Sequence, residues 1–77
     1  MTKLEFYREM ETIMEAPPGA LRGDELLKEL DGWNSLAVLA FIAMADATLG
    51  APVSADALAN CKTVSDLAKL FPGKIAD

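Results

Sequence analysis

Histidine is absent from this chain, and cysteine occurs once, at Cys61. The first absence removes Ser-His and Cys-His nucleophilic catalysis together with the commonest imidazole metal ligand. The second excludes an internal disulfide and, combined with the first, leaves no credible structural zinc site. A single thiol also fits a reducing cytoplasm, which is the expected location. No GxGxxG, P-loop or EF-hand spacing occurs. Basic residues are few: 7 Lys and Arg against 12 Asp and Glu give a net charge of −5, which argues against nucleic acid as a partner. Long apolar runs are missing too. The longest, Leu36 to Ala45, falls far short of the ~20 residues that a membrane span requires. The chain opens Met1-Thr2-Lys3-Leu4-Glu5 and turns acidic at once, so no export signal is expected. A chain with so few catalytic groups is expected to take part in chemistry through groups that another protein supplies.

What is present is the composition of one small globular domain, residues 1–77, with 52% hydrophobic and 25% charged residues. The hydrophobic share rests on Ala, Leu and Met, which favours helix over strand. A chain of this size buries only about 60–65% of its unfolded surface, so the core is small. Thr2 and Glu5 form a T-x-x-E capping box. Leu4, Phe6, Tyr7, Met10, Ile13 and Met14 then recur at helical spacing, with Glu5, Arg8, Glu9 and Glu11 as the polar positions between them. This pattern predicts an amphipathic helix over about 3–15, stopped by Pro17-Pro18-Gly19. Residues 16–34 form a long connection. Leu21, Leu26, Leu27 and Leu30 are expected to pin it, with a short helical turn between Asp24 and Leu30. A third segment, about 55–60, starts at Ser54, and a fourth, about 63–71, starts at the capping pair Thr63 and Asp66 and ends at Pro72-Gly73. The fold expected is all-α, a small bundle of three to four helices with a long first loop.

The most informative stretch is Leu30-Asp31-Gly32-Trp33-Asn34-Ser35-Leu36. A turn at Asp31-Gly32 leads to a second helix, about 35–49, capped by Asn34 or Ser35 and ended by Gly50 and Pro52. That helix is apolar nearly all round, so it is buried on most sides or offers an apolar face to a partner. Val38, Leu39, Ile42 and Leu49 read as core, and Met10, Met14 and Met44 as core filler. Trp33 reads as an anchor for the loop against the core, and Leu36 as a partly exposed contact residue. Cys61 reads as a small apolar residue without a cationic neighbour to activate it.

Gly32-Trp33-Asn34-Ser35-Leu36 resembles the phosphopantetheine attachment motif of acyl carrier proteins, whose hallmark is Asp-Ser-Leu at the head of the second helix. The downstream order matches as well: an apolar helix, a turn at Gly50 to Val53, a short helix and Thr63-Val64-Ser65-Asp66-Leu67. The resemblance covers about Thr2 to Phe71. It implies a carrier and not an enzyme, with a covalent 4′-phosphopantetheine arm on Ser35 and acyl intermediates held as thioesters on the arm's thiol. The implied partners are a phosphopantetheinyl transferase using coenzyme A and Mg²⁺, an acyl-loading ligase, and synthase or transferase enzymes. The protein itself is expected to be a monomer. Val38, Leu39, Ile42 and Leu49 would line the space for the acyl chain. Trp33, Asn34, Leu36, Ala40, Asp46 and Asp56 are the candidate partner contacts.

Two departures mark this chain. Asn34 stands where the family usually has Asp, a residue that helps bind Mg²⁺ when the transferase docks. The surface of the second helix, read as Ala37, Ala40 and Ala47, is alanine-rich, leaving Asp46 as its only acid. Docking is therefore expected to depend on apolar contact around Leu36, Ala40 and Ala43 more than on charge pairing, as in a specialised carrier. Fatty acid, polyketide and specialised lipid assembly all fit this reading. A peptidyl or aminoacyl carrier would share the fold and the serine. Ser35 taken alone also fits an ordinary helix cap, and the chain then reads as an unmodified helical interaction module.

Overall fold

The computed structural model describes residues 1–76 of the chain. Four α-helices follow in order: α1 Lys3–Met14, α2 Ser35–Leu49, α3 Ala55–Ala59 and α4 Val64–Ala68, with a 3₁₀ turn at Leu27–Glu29 inside the first connection. There are no strands among the described residues, only the isolated bridges Thr2 to Ala76 and Leu26 to Thr63. The all-α bundle with a long first loop is the architecture the sequence pattern predicts.

The helix starts follow from their capping residues. Thr2 Oγ1 accepts from the Glu5 amide at 3.1 Å, and Glu5 Oε1 accepts from the Thr2 amide at 2.8 Å, completing the capping box of α1. Thr63 and Asp66 repeat the arrangement at α4. α1 ends one turn before Pro17, at Glu15 in the left-handed region (φ 57°). α4 is shorter than the pattern over 63–71 predicts. From Leu70 onward the amides reach back only three residues, Leu70 to Leu67 and Phe71 to Ala68, as the chain tightens into the turn ahead of Pro72.

Three phenylalanines form the centre. Phe6 of α1 and Phe41 of α2 meet edge to face at 6.3 Å, and Phe71 closes the triangle at 6.2 and 5.9 Å. Such pairs are worth about 0.5–1.5 kcal/mol each beyond their buried area. Met10, Val64 and Leu67 complete the fully buried set. α2 contributes one stripe, Ala37, Phe41, Ala45 and Leu49, because positions four apart fall on one line at about 100° per residue. This corrects two expectations. Ala37 is buried, 3% exposed, and not a surface position; Leu39 is 66% exposed and not core. Leu39 lies about 200° round the helix from both Ala37 and Phe41, on the opposite side. Val38 and Ile42 flank the stripe and are half-buried.

The long connection is fastened at four places. The Glu11 carboxylate, expected on the polar face of α1, is instead buried. Its Oε2 accepts from the amides of Gly19 and Leu21, both at 2.9 Å, and from Arg8 Nη1 at 2.6 Å. Further along, the Gly23 carbonyl accepts from the Ser65 amide at 2.8 Å and the Leu27 amide donates to the Lys62 carbonyl at 2.9 Å. Leu21 and Leu27 are buried and Leu30 half-buried, whereas Leu26 stays exposed and acts through its backbone bridge. Last, Gly32 lies against the carbonyl and Cβ of Met14, a space that no side chain at position 32 fits.

Two tests address these ties. Burial pushes the Glu11 carboxyl up, but the Leu21 amide, Arg8 and the Gly19 amide outweigh it and hold the group below the usual glutamate range. Its stabilisation is therefore full above the unfolded value of about 4.3 and lost as pH falls through the lower folded value. Glu11→Ala, which strands two loop amides, is expected to destabilise by about 1–3 kcal/mol at pH 7 in urea unfolding. Glu11→Gln is expected to flatten part of the wild-type fall between pH 5 and 3. Gly32→Ala is expected to cost about 1–3 kcal/mol through overpacking and to red-shift the emission of the single tryptophan, Trp33, as it loosens from the core. Unchanged emission would show that Gly32 does not set the Trp33 position.

Candidate functional site

The loop delivers the chain into α2 through three adjacent residues. Trp33 is half-buried and meets Phe41 edge to face at 5.8 Å, and its amide donates to the Leu30 carbonyl at 3.0 Å. Its ring thus joins the aromatic centre, as its reading as an anchor predicts. Asn34 is the cap. It is extended (φ −128°, ψ −176°), and its Oδ1 accepts from the Ala37 amide at 3.0 Å. The alternative, Ser35 as cap, is excluded: Ser35 is the first helical residue.

Ser35 is exposed, and its hydroxyl makes no hydrogen bond among the described residues. The chain has two other serines near helix starts. Ser54 is engaged as a cap, its Oγ accepting from the Ala57 amide at 3.1 Å. Ser65 is half-buried beside Gly23. Around Ser35 the first amides of α2 are also uncommitted. The Ala37 amide goes to the Asn34 side chain and the Val38 amide to the Asn34 carbonyl at 2.9 Å, while those of Ser35 and Leu36 have no partner among the described residues. An exposed hydroxyl beside free N–H groups at the positive end of a fifteen-residue helix suits a phosphoryl group, which those dipoles stabilise by roughly 0.3–1 kcal/mol. The residues therefore fit a phosphodiester at this place. Asn34 is neutral, so the residue that caps α2 places no carboxylate next to Ser35.

The remaining candidates spread along α2 and beyond. Leu36 is 75% exposed, and Leu39, Ala40, Ala43 and Ala47 are exposed as well. Leu36, Leu39, Ala40 and Ala43 continue outward from Ser35 as an uncharged surface over two turns. Asp46 is exposed about 16 Å further along the helix axis than Ser35, and Asp56 is exposed in the first turn of α3. Asp46 is therefore outside the Ser35 neighbourhood. Of the four residues assigned to an acyl-chain space, Leu49 belongs to the central core, Val38 and Ile42 form a half-buried shoulder, and Leu39 is exposed on the outer side of that shoulder, one turn from Ile42. Cys61 is half-buried; its thiol reaches the Ala57 carbonyl at 3.4 Å, and burial followed by the nearby Asp66 charge pushes it up, away from reactivity.

Sequence reasoning missed two features. Glu11 carries no signal that separates it from its exposed acidic neighbours. The exposure of Leu39 was available from helical geometry once Phe41 is taken as the inward residue. Among the described residues no cluster of Cys, Asp or Glu is placed to hold a metal ion, and no helix is long and apolar enough to cross a membrane.

The family model for the phosphopantetheine attachment site matches residues 8–71, a span that runs from α1 through Ser35 to the end of the aromatic centre. No match was found among curated proteins or among solved structures. The chain thus belongs to the phosphopantetheine-binding family of carrier proteins, whose members hold 4′-phosphopantetheine covalently.

Proposed function

We propose that this chain is an acyl carrier protein and that Ser35 bears its arm. The observation that carries the assignment is the contrast between the three serines: Ser35 alone is exposed, outside any capping bond, and next to unpaired helix amides. In the modification, the Ser35 oxygen bonds phosphorus as its proton leaves. The phosphoanhydride bond of coenzyme A breaks, and the nucleotide departs. No base among the described residues hydrogen-bonds the Ser35 hydroxyl, so the transferase supplies one. When bound, the group provides a terminal thiol on which acyl chains are carried as thioesters.

The chain's own residues then present and shelter the cargo. Gly32 against Met14 and Trp33 against Phe41 fix the loop, so Ser35 stands on a rigid platform. Val38 and Ile42 give an aliphatic chain an apolar wall to lie against. The uncharged surface of Leu36, Leu39, Ala40 and Ala43 is the contact for loading and synthase enzymes, with Asp46 further along α2 and Asp56 on α3 as additional contacts. Such contact is less sensitive to salt than the charge pairing of acidic carriers. Fatty acid, polyketide and specialised lipid assembly each use a carrier of this kind, and the loading enzyme selects the cargo.

Incubation of the purified protein with coenzyme A, Mg²⁺ and a broad-specificity phosphopantetheinyl transferase is expected to add one phosphopantetheine to the intact mass, and Ser35→Ala to abolish the addition while leaving the fold intact. Addition that persists in Ser35→Ala would move the attachment elsewhere. Asn34→Asp keeps the cap, since Asn and Asp cap almost equally well, and restores a carboxylate beside the serine. It is expected to leave stability within about 0.5 kcal/mol and to raise the rate of modification several-fold at limiting Mg²⁺. An unchanged rate would show that the missing charge is immaterial to this chain.

A further inference from the structure

A second constellation of polar groups lies at the other end of α1. Tyr7 is 8% exposed and its ring packs edge to face on Phe6 at 6.1 Å, yet its hydroxyl has no hydrogen-bond partner among the described residues. The ring is buried while the oxygen itself stays within reach of solvent, free to meet a ligand. The hydroxyl is not sealed in. It borders a shallow depression of ≈ 510 Å³ whose other polar lining comes from Lys3, Arg22, Asp24, Thr63 and Ser65. Tyr7 and Met14 are separated by about 10 Å along α1, and Gly32, which leads to Ser35, sits on Met14. Ser35 is not in the lining of the depression, and the site does not depend on the assignment of Ser35.

The geometry around the hydroxyl is held by backbone. Gly23 is buried with φ +119°, and a Cβ there would come within 2.6 Å of Tyr7 Oη, so the glycine is what leaves room for the phenol. The Gly23 carbonyl is tied to the Ser65 amide at 2.8 Å, which brings the start of α4 to the same point. Nearby acids are accounted for. The Glu25 carboxylate accepts from the Arg22 and Gly23 amides at 2.9–3.1 Å, and the Asp66 carboxylate from the Lys62 and Thr63 amides at 3.0 and 3.1 Å. Asp24 is the one carboxylate among the described residues of the lining. Against it stand the donors of Arg22, Tyr7 and Ser65. A fork of guanidinium N–H groups beside hydroxyl donors matches a planar or tetrahedral oxyanion.

We propose that this depression binds a small oxyanion, a carboxylate or a phosphate, through the Arg22 guanidinium and the Tyr7 and Ser65 hydroxyls. The group belongs either to a free phosphate-bearing molecule or to an acidic side chain of a docked protein. Titration of the ¹⁵N-labelled full chain with sodium phosphate and, separately, sodium acetate, at ionic strength held constant with chloride, tests this. Saturable shifts at the amides of Tyr7, Gly23 and Ser65 are expected. Tyr7→Phe, which keeps the ring packing, and Arg22→Gln, at an exposed position, are each expected to weaken binding about tenfold with the remaining spectrum unchanged. Tighter binding of phosphate assigns the site to phosphate-bearing molecules, and equal or tighter binding of acetate assigns it to carboxylate side chains. Shifts that follow chloride alone, or parental affinity in both variants, overturn the proposal.

Discussion

A connection of nearly twenty residues without regular structure has to be tied down, and in this fold the first tie is a single buried carboxylate. Glu11 gathers two loop amides and Arg8 on one oxygen, while its Oε1 is buried without a partner. A buried charge is tolerated only when it is well hydrogen-bonded. The geometry that Glu11 imposes on Gly19 and Leu21 is therefore steep: a loop that moves away strands a charge as well as two donors. From that point the chain descends along α1 to Gly23, crosses to α4 through Ser65 and Lys62, and returns to Met14 at Gly32. The loop acts as a strap across α1 and α4, and α2 begins where the strap ends.

That path explains why Ser35, the proposed attachment position, is held firmly although it sits at the end of a loop. Trp33 is inserted against Phe41, and Phe41 belongs to the triangle that joins α1, α2 and the end of the chain beyond α4. The orientation of Ser35 is thus set by core packing and by the Asn34 cap. α3 is the contrast. It buries no residue, although Leu58 leans on the core from outside, and its five residues are fixed mainly by the Ser54 cap. Local opening is cheapest where few apolar contacts must be broken. The start of α2 and the most readily opened helix are therefore at different ends of the stability range within one small bundle.

Much of this was legible in the residues. Capping boxes at Thr2 and Thr63 placed the starts of α1 and α4, and Gly50 closed α2, because these depend on neighbours in sequence. The Gly32 to Leu36 stretch gave the family, since the turn, aromatic, cap and serine form one local unit. What was not legible depends on three-dimensional neighbours. The inward side of α2 was ambiguous because almost every position is apolar, and only the packing of Phe41 on Phe6 decides that Ala37 turns in and Leu39 turns out. Glu11 and Tyr7 look like routine members of an amphipathic helix. Their special surroundings come from loop residues 8 to 16 positions away.

The composition of α2 then acquires a physical reason. One stripe of Ala37, Phe41, Ala45 and Leu49 suffices for the core, so Leu36, Leu39, Ala40 and Ala43 gain nothing from folding by being apolar. Exposed leucines beside one another favour association, and a net charge of −5 offsets that by keeping copies apart. A surface of two leucines and a few alanines offers only a few hundred Å², well below the about 800 Å² per partner of a stable complex. As the proposed partner contact, it has a size that suits contacts which must form and break at every transfer. A carrier that visits one enzyme after another is served by a face that holds each partner weakly, and the alanine-rich side of α2 limits the grip as much as the leucines supply it.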